Sequence, residues 1–259
     1  MVISKEASVA EKSMSNNLLS LKNELLLPLG GKLPNLDKDS IKIDRVFPGT
    51  LEHETAADIV NYNYNGMFGI DGKVIDVARD SLSELDTTIS TIATIQFNGK
   101  SIVLGSLRFT CDKLDLFNLF EMENGKKWPH QQGEVSRKPG EIGKFSFHPI
   151  LSEHDLGYSN EERAKFKIII TRGLYQEGMR QMREAGVKVP YFIVGKHVLR
   201  FAESVGVSPC IKVEGAKLSK SQEVRKMMEQ FPKYWHSNED VKYQPAVYIV
   251  PWEMQKIKI

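Results

Sequence analysis

The sequence predicts an α/β (α+β) fold in which a long helix packs across one mixed sheet. Two observations carry this prediction. Residues 91–97 and 101–110 are β-rich runs on either side of Asn98-Gly99, a dipeptide typical of two-residue hairpin turns. The second half of the chain then alternates strand, long helix, strand and short helix, an order that places its strands in one sheet.

Composition restricts the architecture and the function. With 259 residues and 41% hydrophobic content, the chain can bury one substantial core, so we expect a single domain over residues 41–259. Residues 1–40 are rich in Ser, Asn, Lys and Glu, and we expect an arm that is partly disordered or packs on a partner. A net charge of +2 from 35 basic and 33 acidic residues argues against nucleic-acid binding.

Cysteine usage and the N-terminus indicate the compartment. Cys111 and Cys210 lie far apart with no CxxC or Cys/His spacing, so we expect structural thiols, no metal site and a reducing environment. Lys5 and Glu6 stand where a signal peptide is apolar, and no run approaches the ~20 apolar residues of a membrane span. We therefore expect a cytoplasmic protein without a membrane span.

Each further element has its own signal. A helix capped by Thr55 is predicted over residues 55–68, and a long, partly ordered insertion over residues 112–140. A strand follows over residues 141–149, and then the longest helix, which begins at the Ser159 N-cap and ends at Gly186. The remaining elements are a strand over residues 189–194, a helix over 196–204, a strand over 208–213, a helix over 219–229 and a strand over 244–252.

Two short strand motifs carry a family resemblance. Residues 105–109 read G-S-L-R-F and residues 141–145 read E-I-G-K-F. With the element order over residues 59–252, they resemble the GNAT superfamily of acyltransferases, and most closely its acyl-homoserine lactone synthases and N-acyl amino acid synthases, which carry G-x-x-R-[LF] and E-[IV]-S-R-[FL]. The resemblance implies a GNAT-like, mixed, mostly antiparallel central sheet with helices on both faces, splayed to admit the pantetheine arm of an acyl donor. Gly143 and Lys144 depart from the second motif.

The resemblance and the chemistry of acyl transfer point to Glu141 and Arg108 as catalytic residues. An amine that attacks a thioester must lose a proton, and Glu141 is the candidate base, directly or through water. Arg108 stands in an otherwise apolar strand, where a structural salt bridge, for example to Glu141, is the alternative. Residues 134–137 also match the first part of the second motif, with Glu134 as its glutamate. Pro139 and Gly140 follow this segment and cannot continue a central strand, so Glu141 is the preferred motif glutamate.

The resemblance also implies a substrate-binding set of aromatic residues along the acyl chain and two polar residues. For the aromatic residues, packing in the core is the alternative. The acidic member is Asp86. Residues 83–86 resemble the D-x-x-D acceptor-recognition segment of these synthases, with Ser83 in the place of the first Asp. A free amino acid or similar amine is therefore the expected acceptor. The set is Phe145, Phe147, Tyr62, Tyr64, Phe68, Asp86 and Lys144.

The expected acyl donor follows from a missing loop. GNAT enzymes that use coenzyme A carry an R-x-x-G-x-G/A loop for its pyrophosphate, and residues 149–160 lack it. Homoserine lactone synthases resemble this chain in that respect and use acyl carrier protein. The resemblance thus implies acyl-ACP phosphopantetheine, or else acyl-CoA, as cosubstrate and no permanently bound cofactor. An acidic carrier protein would contact basic residues around the expected entrance of the active site. The alternative is that these residues form only a solvated basic face. They are Lys138, Lys144, Arg163, Lys165 and Lys167.

The sequence therefore predicts an N-acyltransferase that moves a fatty acyl group from a carrier thioester to the amine of an amino acid or similar small acceptor. A short-chain, CoA-dependent N-acetyltransferase and a non-catalytic acyl- or ligand-binding module of the same fold remain alternatives. A serine hydrolase built on Ser146, His148 and Asp155 is disfavoured, because no nucleophile elbow surrounds Ser146. Trp128 either caps a pocket or anchors the insertion.

Overall fold

The centre of the protein is a seven-stranded sheet. The structure is a computed structural model that describes residues 18–30, 34–35, 37–68, 74, 76–79, 88–111, 114, 116–153, 158–207, 210–230, 245–250 and 252. Its strands are β1 (Lys42–Val46), β2 (Thr88–Phe97), β3 (Lys100–Thr110), β4 (Phe120–Met122), β5 (Pro139–Phe147), β6 (Val189–Gly195), β7 (Ile211–Lys212), β8 (Ala216–Leu218) and β9 (Pro245–Ile249).

The strand order confirms the predicted sheet. The main sheet runs β1-β2-β3-β5-β6-β9-β7, and β4 pairs with β8 in a separate two-stranded sheet. In the main sheet, neighbouring strands are antiparallel except for β5 and β6, which are parallel. The fold is therefore α/β with a mixed, mostly antiparallel central sheet.

Helices cover both faces of this sheet. α2 packs on β3 and β5, and α5 packs on β2 and β3 from the opposite face. We call these the α2 face and the α5 face. The helices are α1 (Leu18–Leu26), α2 (Leu51–Phe68), α3 (Leu116–Leu119), α4 (Pro149–Ser152), α5 (Asn160–Glu184), α6 (Lys196–Ser204) and α7 (Gln222–Gln230).

The predicted hairpin is confirmed, and its turn explains the tight connection. β2 and β3 pair along their whole length, and Asn98 and Gly99 have φ of 50° and 74°. Both values lie in the left-handed region, which the type I′ hairpin turn requires at its two central positions and which Asn and Gly adopt at low cost. The local sequence thus sets the register next to the turn, and a register shift between Ala93 and Thr94 changes it farther along the pair.

The pairing of β5 with β6 is short. The two strands are joined only from Pro139–Val189 to Ile142–Phe192, while β5 continues to Phe147 and β6 to Gly195. We call this separation the β5–β6 split. β5 begins at Pro139, before the predicted start, because the first position of a strand tolerates a residue without an N–H donor.

The two long helices differ in how well their starts were predicted. The Ser159 N-cap of α5 is confirmed, with Ser159 and Glu162 forming a capping box. The predicted cap Thr55 is wrong: α2 begins at Leu51, and Thr50 Oγ1 accepts the His53 N–H at 3.2 Å. Thr55 Oγ1 instead donates to the Leu51 carbonyl, as hydroxyls inside a helix commonly do.

The insertion between β3 and β5 is anchored on the sheet. β4 pairs with β8, and the Trp128 side chain is buried against Phe117 and Tyr191. Trp128 therefore anchors the insertion. The same apolar cluster includes Val189 and Val247 of the central strands.

The described part of the N-terminal arm packs on its own chain. Leu21, Leu25 and Leu29 are buried, and α1 contacts α2 and α4. α1 and Leu29 are thus packed on the body of the protein. Among the described residues, no helix combines the length and apolarity needed to cross a membrane.

The C-terminal elements keep the predicted order with shorter bounds. Within the predicted strand over residues 208–213, the structure describes a strand at Ile211–Lys212, and the last strand is Pro245–Ile249. The helix predicted from residue 219 begins at Gln222, because Ser221 Oγ accepts the Val224 N–H at 3.2 Å and so caps it.

Candidate active site

Polar and charged side chains form a buried row on the α2 face, beside the β5–β6 split. Cross-strand partners point to the same face of a sheet, and the register places Thr110 opposite Glu141 and Glu141 opposite Tyr191. Two residues along the strands, Arg108 lies opposite Gly143. Arg108 and Glu141 are each 7% exposed, so the two candidate catalytic residues are buried as diagonal neighbours on one face.

The Glu141 carboxylate is directed along β5 toward the position of Arg108. Its Oε1 lies 3.7 Å from the point that a Cβ on Gly143 would occupy, and Gly143 is the cross-strand partner of Arg108. Gly143, where the family motif carries Ser, therefore leaves space beside the candidate base. Glu134, the other motif glutamate, lies in an exposed bend before β5.

A small cavity lies between α2 and the sheet, next to this row. Its volume is about 30 Å³, and Val60 of α2 and Leu107 of β3 contribute to its walls. A space of this size holds about two water-sized groups. Its polar lining consists of His53, Ser90, Ser106, Arg108 and Lys144.

Lys144 reaches the cavity because of a β-bulge. Gly143 pairs with Arg108 and Ser146 pairs with Ser106, so two residues of β5 oppose one residue of β3. Lys144 has a φ of 54°, and its Nζ donates to the Val77 carbonyl at 2.5 Å. The structure therefore directs Lys144 into the α2 face rather than toward the mouth expected for a carrier protein.

The segment that accepts the Lys144 hydrogen bond is held by α2. Asn61 Oδ1 accepts the N–H groups of Val77 and Ala78 at 2.9 and 3.1 Å, and its Nδ2 donates to Asp76 at 2.9 Å. Arg79 also donates to Glu54 of α2. These contacts fix one wall of the cavity.

The polar lining of the cavity includes three residues that the sequence had not singled out, Ser90, Ser106 and His53. A usable signal existed for Ser106: it precedes Arg108 by two residues in a strand, so alternation places both side chains on one face. His53 had no such signal, since only the packing of α2 on β3 brings it to the cavity.

Tyr191 continues the polar row into the insertion. Its hydroxyl accepts the His130 N–H at 3.1 Å and lies 3.0 Å from His130 Nδ1. Burial raises the pKa of Tyr191 to about 12, and burial with the nearby Arg137 cation lowers the pKa of His130. Near neutral pH both groups are uncharged, with the hydroxyl as donor to a neutral imidazole.

Two predicted acyl-chain residues lie on the other face of the sheet. Phe145 and Phe147 are 4.8 Å apart between ring centroids, and each lies 6.4 Å from Phe201 of α6. Phe145 is also 6.3 Å from Tyr175 of α5, whose buried hydroxyl has no hydrogen-bond partner in the described part of the chain. Burial raises the pKa of Tyr175 well above its usual value, so this hydroxyl is neutral. An aromatic wall thus lines the α5 side of the β5–β6 split.

Of the remaining substrate-binding predictions, Tyr62 and Tyr64 lie on α2, and Tyr64 packs beside a wall of the cavity. Tyr62 packs beside the cluster that contains Leu25, while Tyr64 packs beside the cluster that contains Val60. The Phe68 side chain and the whole of Asp86 lie outside the described residues.

Two of the five basic residues expected around the site entrance are directed into the protein instead. Arg163 is buried, and its Nη1 donates to the Glu153 carbonyl at 2.8 Å. With Lys144 also directed inward, the expectation is wrong for these two residues. Lys165 is exposed, and Lys167 Nζ lies 5.4 Å from the centre of the Phe147 ring.

His148 has a structural role that uses both ring nitrogens. Its Nδ1 accepts the Ile150 N–H at 3.2 Å, and its Nε2 lies 3.1 Å from the Leu25 carbonyl, to which it donates. Neither nitrogen is available to activate Ser146. Asp155, the third member of the disfavoured hydrolase, lies outside the described residues.

Comparison with known proteins finds likeness only among solved structures. No family model and no curated protein matches the chain. FeeM, an N-acyl amino acid synthase from uncultured soil microbes, is 14% identical, with 83% of this chain and 94% of that chain covered and a TM-score of 0.49.

Two further structures resemble the chain in the same way. The AHL synthase LasI is 14% identical, covering 81% of this chain and 88% of its own, with a TM-score of 0.40. An acyl-CoA N-acyltransferase from Pseudomonas aeruginosa is 11% identical, covering 81% and 99%, also with a TM-score of 0.40. The chain is similar to these three structures at identities of 11–14%, and the likeness concerns the fold alone.

Proposed function

We propose that this protein is an N-acyltransferase that moves a fatty acyl group from an acyl-carrier-protein thioester to the amine of an amino acid or a similar small acceptor. One observation carries the proposal: the buried carboxylate of Glu141 lies beside buried Arg108 where the two central strands separate. The motif resemblance of both strands to acyl-homoserine lactone and N-acyl amino acid synthases supports the same reaction.

The chemistry needs few groups, and the buried row can supply them. Glu141 takes a proton from the acceptor ammonium or amine, whose nitrogen then attacks the thioester carbonyl. A C–N bond forms, the C–S bond breaks, and a proton passes to the leaving thiolate. The β5–β6 split would admit the pantetheine arm, and its aromatic wall of Phe145, Phe147 and Phe201 would contact the acyl chain.

The N-terminus of α5 supports a carrier protein over coenzyme A as the donor. A helix N-terminus binds pyrophosphate through its N–H groups and its positive dipole end. Here Ser159 Oγ accepts the Glu162 N–H, the Glu162 carboxylate accepts the Ser159 N–H at 2.8 Å, and Glu161 adds a second acid. A pyrophosphate at this position would meet two carboxylates.

The test compares lipid extracts from cells that express the protein, Glu141→Gln or Glu134→Gln. Loss of the base should reduce N-acylated amine products by about 10²–10⁴-fold. Glu134 is exposed outside β5, so its variant is the matched control and should form the wild-type products. Mass spectrometry of the extracts would identify the acyl chain and the amine together.

Three outcomes bear on the proposal. Products that vanish in Glu141→Gln alone would support it, and purified protein supplied with acyl-ACP or acyl-CoA would then identify the donor. Products equally abundant in both variants would remove Glu141 from the mechanism. Extracts that match the empty host throughout would instead favour a binding module of the same fold.

A further inference from the structure

We propose that Lys167 is a site of self-acylation, where its Nζ takes a medium-chain acyl group from a thioester that enters the β5–β6 split. This inference rests on the proposed function only for the donor, because the acceptor is a side chain of the protein itself. Lys167 lies on α5, on the same side of the sheet as the aromatic wall formed by Phe145, Phe147 and Phe201.

The amine of Lys167 lies against the rings that would contact the acyl chain. Its Nζ is 5.4 Å from the centre of the Phe147 ring. That ring is 4.8 Å from Phe145 and 6.4 Å from Phe201, measured between ring centroids. A thioester whose chain lies on this wall is held close to the amine, and such proximity strongly accelerates acyl transfer relative to a reaction in free solution.

The surroundings of this amine favour its neutral form. Lys167 is half-buried, and its Nζ forms no hydrogen bond or ion pair with a described residue. The face of the Phe147 ring attracts a cation, but it does not replace the hydrogen bonds that water gives to an exposed ammonium. The uncharged amine is the form that attacks a carbonyl.

A second cation near Lys167 acts in the same direction. Arg163 lies one turn earlier on α5 and is buried, and like charges at this spacing repel each other. Burial, followed by the Arg163 cation, lowers the pKa of Lys167 from its usual value of 10.5. Near neutral pH, more of this amine is therefore deprotonated and nucleophilic than in an ordinary lysine.

The transfer step balances without a further reactant. The neutral Nζ attacks the thioester carbonyl, a C–N bond forms and the C–S bond breaks. The amine proton passes to the leaving thiolate, so the products are an acyl-lysine and a free thiol. The amide is uncharged, so the reaction also removes a half-buried cation.

Lys165 provides an internal reference for the reactivity of a surface amine. It is exposed two residues before Lys167, and side chains at this spacing do not share a helix face. Cleavage of the chain after glutamate leaves both lysines on one peptide, residues 163–177. Fragmentation of this peptide by mass spectrometry measures acylation at each lysine in the same sample.

The experiment incubates the purified full chain with the N-acetylcysteamine thioester of octanoic acid, which carries the reacting end of a pantetheine arm. We expect octanoylation of Lys167 to be about ten-fold or more faster than that of Lys165, because the wall holds the chain beside the amine. The acetyl thioester is too short to cover the wall, so its ratio should fall toward one. Octanoylation of protein unfolded in guanidinium chloride should also give a ratio near one.

Phe147→Leu and Phe117→Leu form a matched pair of variants. Both changes keep an apolar side chain, but Phe117 lies in the insertion and packs against Trp128. Phe147→Leu removes a ring from the wall and should lower the ratio of Lys167 to Lys165 octanoylation several-fold. Phe117→Leu should leave this ratio unchanged.

The results that overturn this proposal differ from those that overturn the proposed function. An octanoylation ratio near one, a ratio unaffected by unfolding, equal ratios for the two thioesters, or equal effects of the two variants would each refute self-acylation at Lys167. Acylated Lys167 in a protein that forms no N-acylated small amine would support this inference and refute the proposed function. N-acylated amines formed while Lys167 stays unmodified would do the reverse.

Discussion

The surroundings of His148 keep its imidazole neutral. The residue is 1% exposed, accepts an N–H on one side and donates to a carbonyl on the other. Burial lowers its pKa from 6.5 to about 4, with a smaller opposing effect of the hydrogen bond to Leu25. A single residue thus joins α1, β5 and α4, and only in its neutral form.

This residue should make folding stability depend on pH. The depressed pKa means that the unfolded chain binds the proton more readily, so the stability is fully present above pH 6.5 and is lost as pH falls from 6.5 through about 4. At pH 5 the loss is about 2 kcal/mol. His148→Asn keeps an acceptor for the Ile150 N–H but cannot titrate.

Urea midpoints at pH 7 and pH 5 for both proteins provide the check. We expect the variant to be less stable at pH 7, because it loses the bond to the Leu25 carbonyl, and the difference from wild type to shrink or reverse at pH 5. A stability difference that is the same at both pH values would contradict the assigned cause.

At the scale of elements, the α5 face depends on a close approach between α5 and β3. The Phe109 ring is fully buried against Gly178, where an added Cβ would lie 1.7 Å from Cε2 of the ring. Gly178 is therefore required by packing, since its helical backbone suits any residue. Gly66 of α2 is also helical, but a Cβ there would meet only Leu18 at 3.6 Å.

These two helical glycines should respond to alanine in opposite ways. Gly178→Ala must displace either the ring or the helix and should destabilise the protein by about 3 kcal/mol or more. Gly66→Ala should stabilise it by about 0.5–1 kcal/mol through helix propensity. Chemical denaturation of both variants measures the two changes, and a similar effect of both would mean that α5 does not pack this closely on β3.

At the scale of the whole molecule, β6 links two apolar clusters. Phe192 and Val194 belong to the main core on the α5 face, while Val189 and Tyr191 belong to the cluster under the insertion. Side chains alternate along a strand, so one strand contributes to both. We therefore expect the insertion to unfold together with the rest of the domain.

Trp128→Ala tests this coupling. Removing the buried indole should cost about 3–5 kcal/mol and lower the urea midpoint while unfolding remains a single transition. Val135, in the same insertion, is 78% exposed, so Val135→Ala should change stability by no more than about 0.5 kcal/mol. A separate early transition in Trp128→Ala, or equal effects of both variants, would show that the insertion is an independent unit.

Local signals account for the parts of the fold and site that sequence could predict. The Asn98-Gly99 turn fixed the β2–β3 register from Phe97 back to Thr94, and the Ser159 capping box fixed the start of α5, because both depend on residues close in the chain. Glu141 and Arg108 were identified by motif, but their relation as diagonal neighbours needed the pairing of β3 with β5. The predicted cap Thr55 was wrong because the capping hydroxyl belongs to Thr50, a residue of the same type five positions earlier.

By itself, the sequence determined the β2–β3 hairpin, the long helix α5, the mixed sheet and the two motif strands, since hydrophobic periodicity, caps and turns act over a few residues. Only the tertiary structure decided which side chains of different elements share a face. The bulge at Lys144 rotates that side chain toward Arg108 and Ser106, and α2 adds His53 to the same cavity. Phe145 and Phe147 remain on the opposite face beside Phe201. Strand register and helix packing join residues far apart in the chain, and no local pattern encodes those contacts.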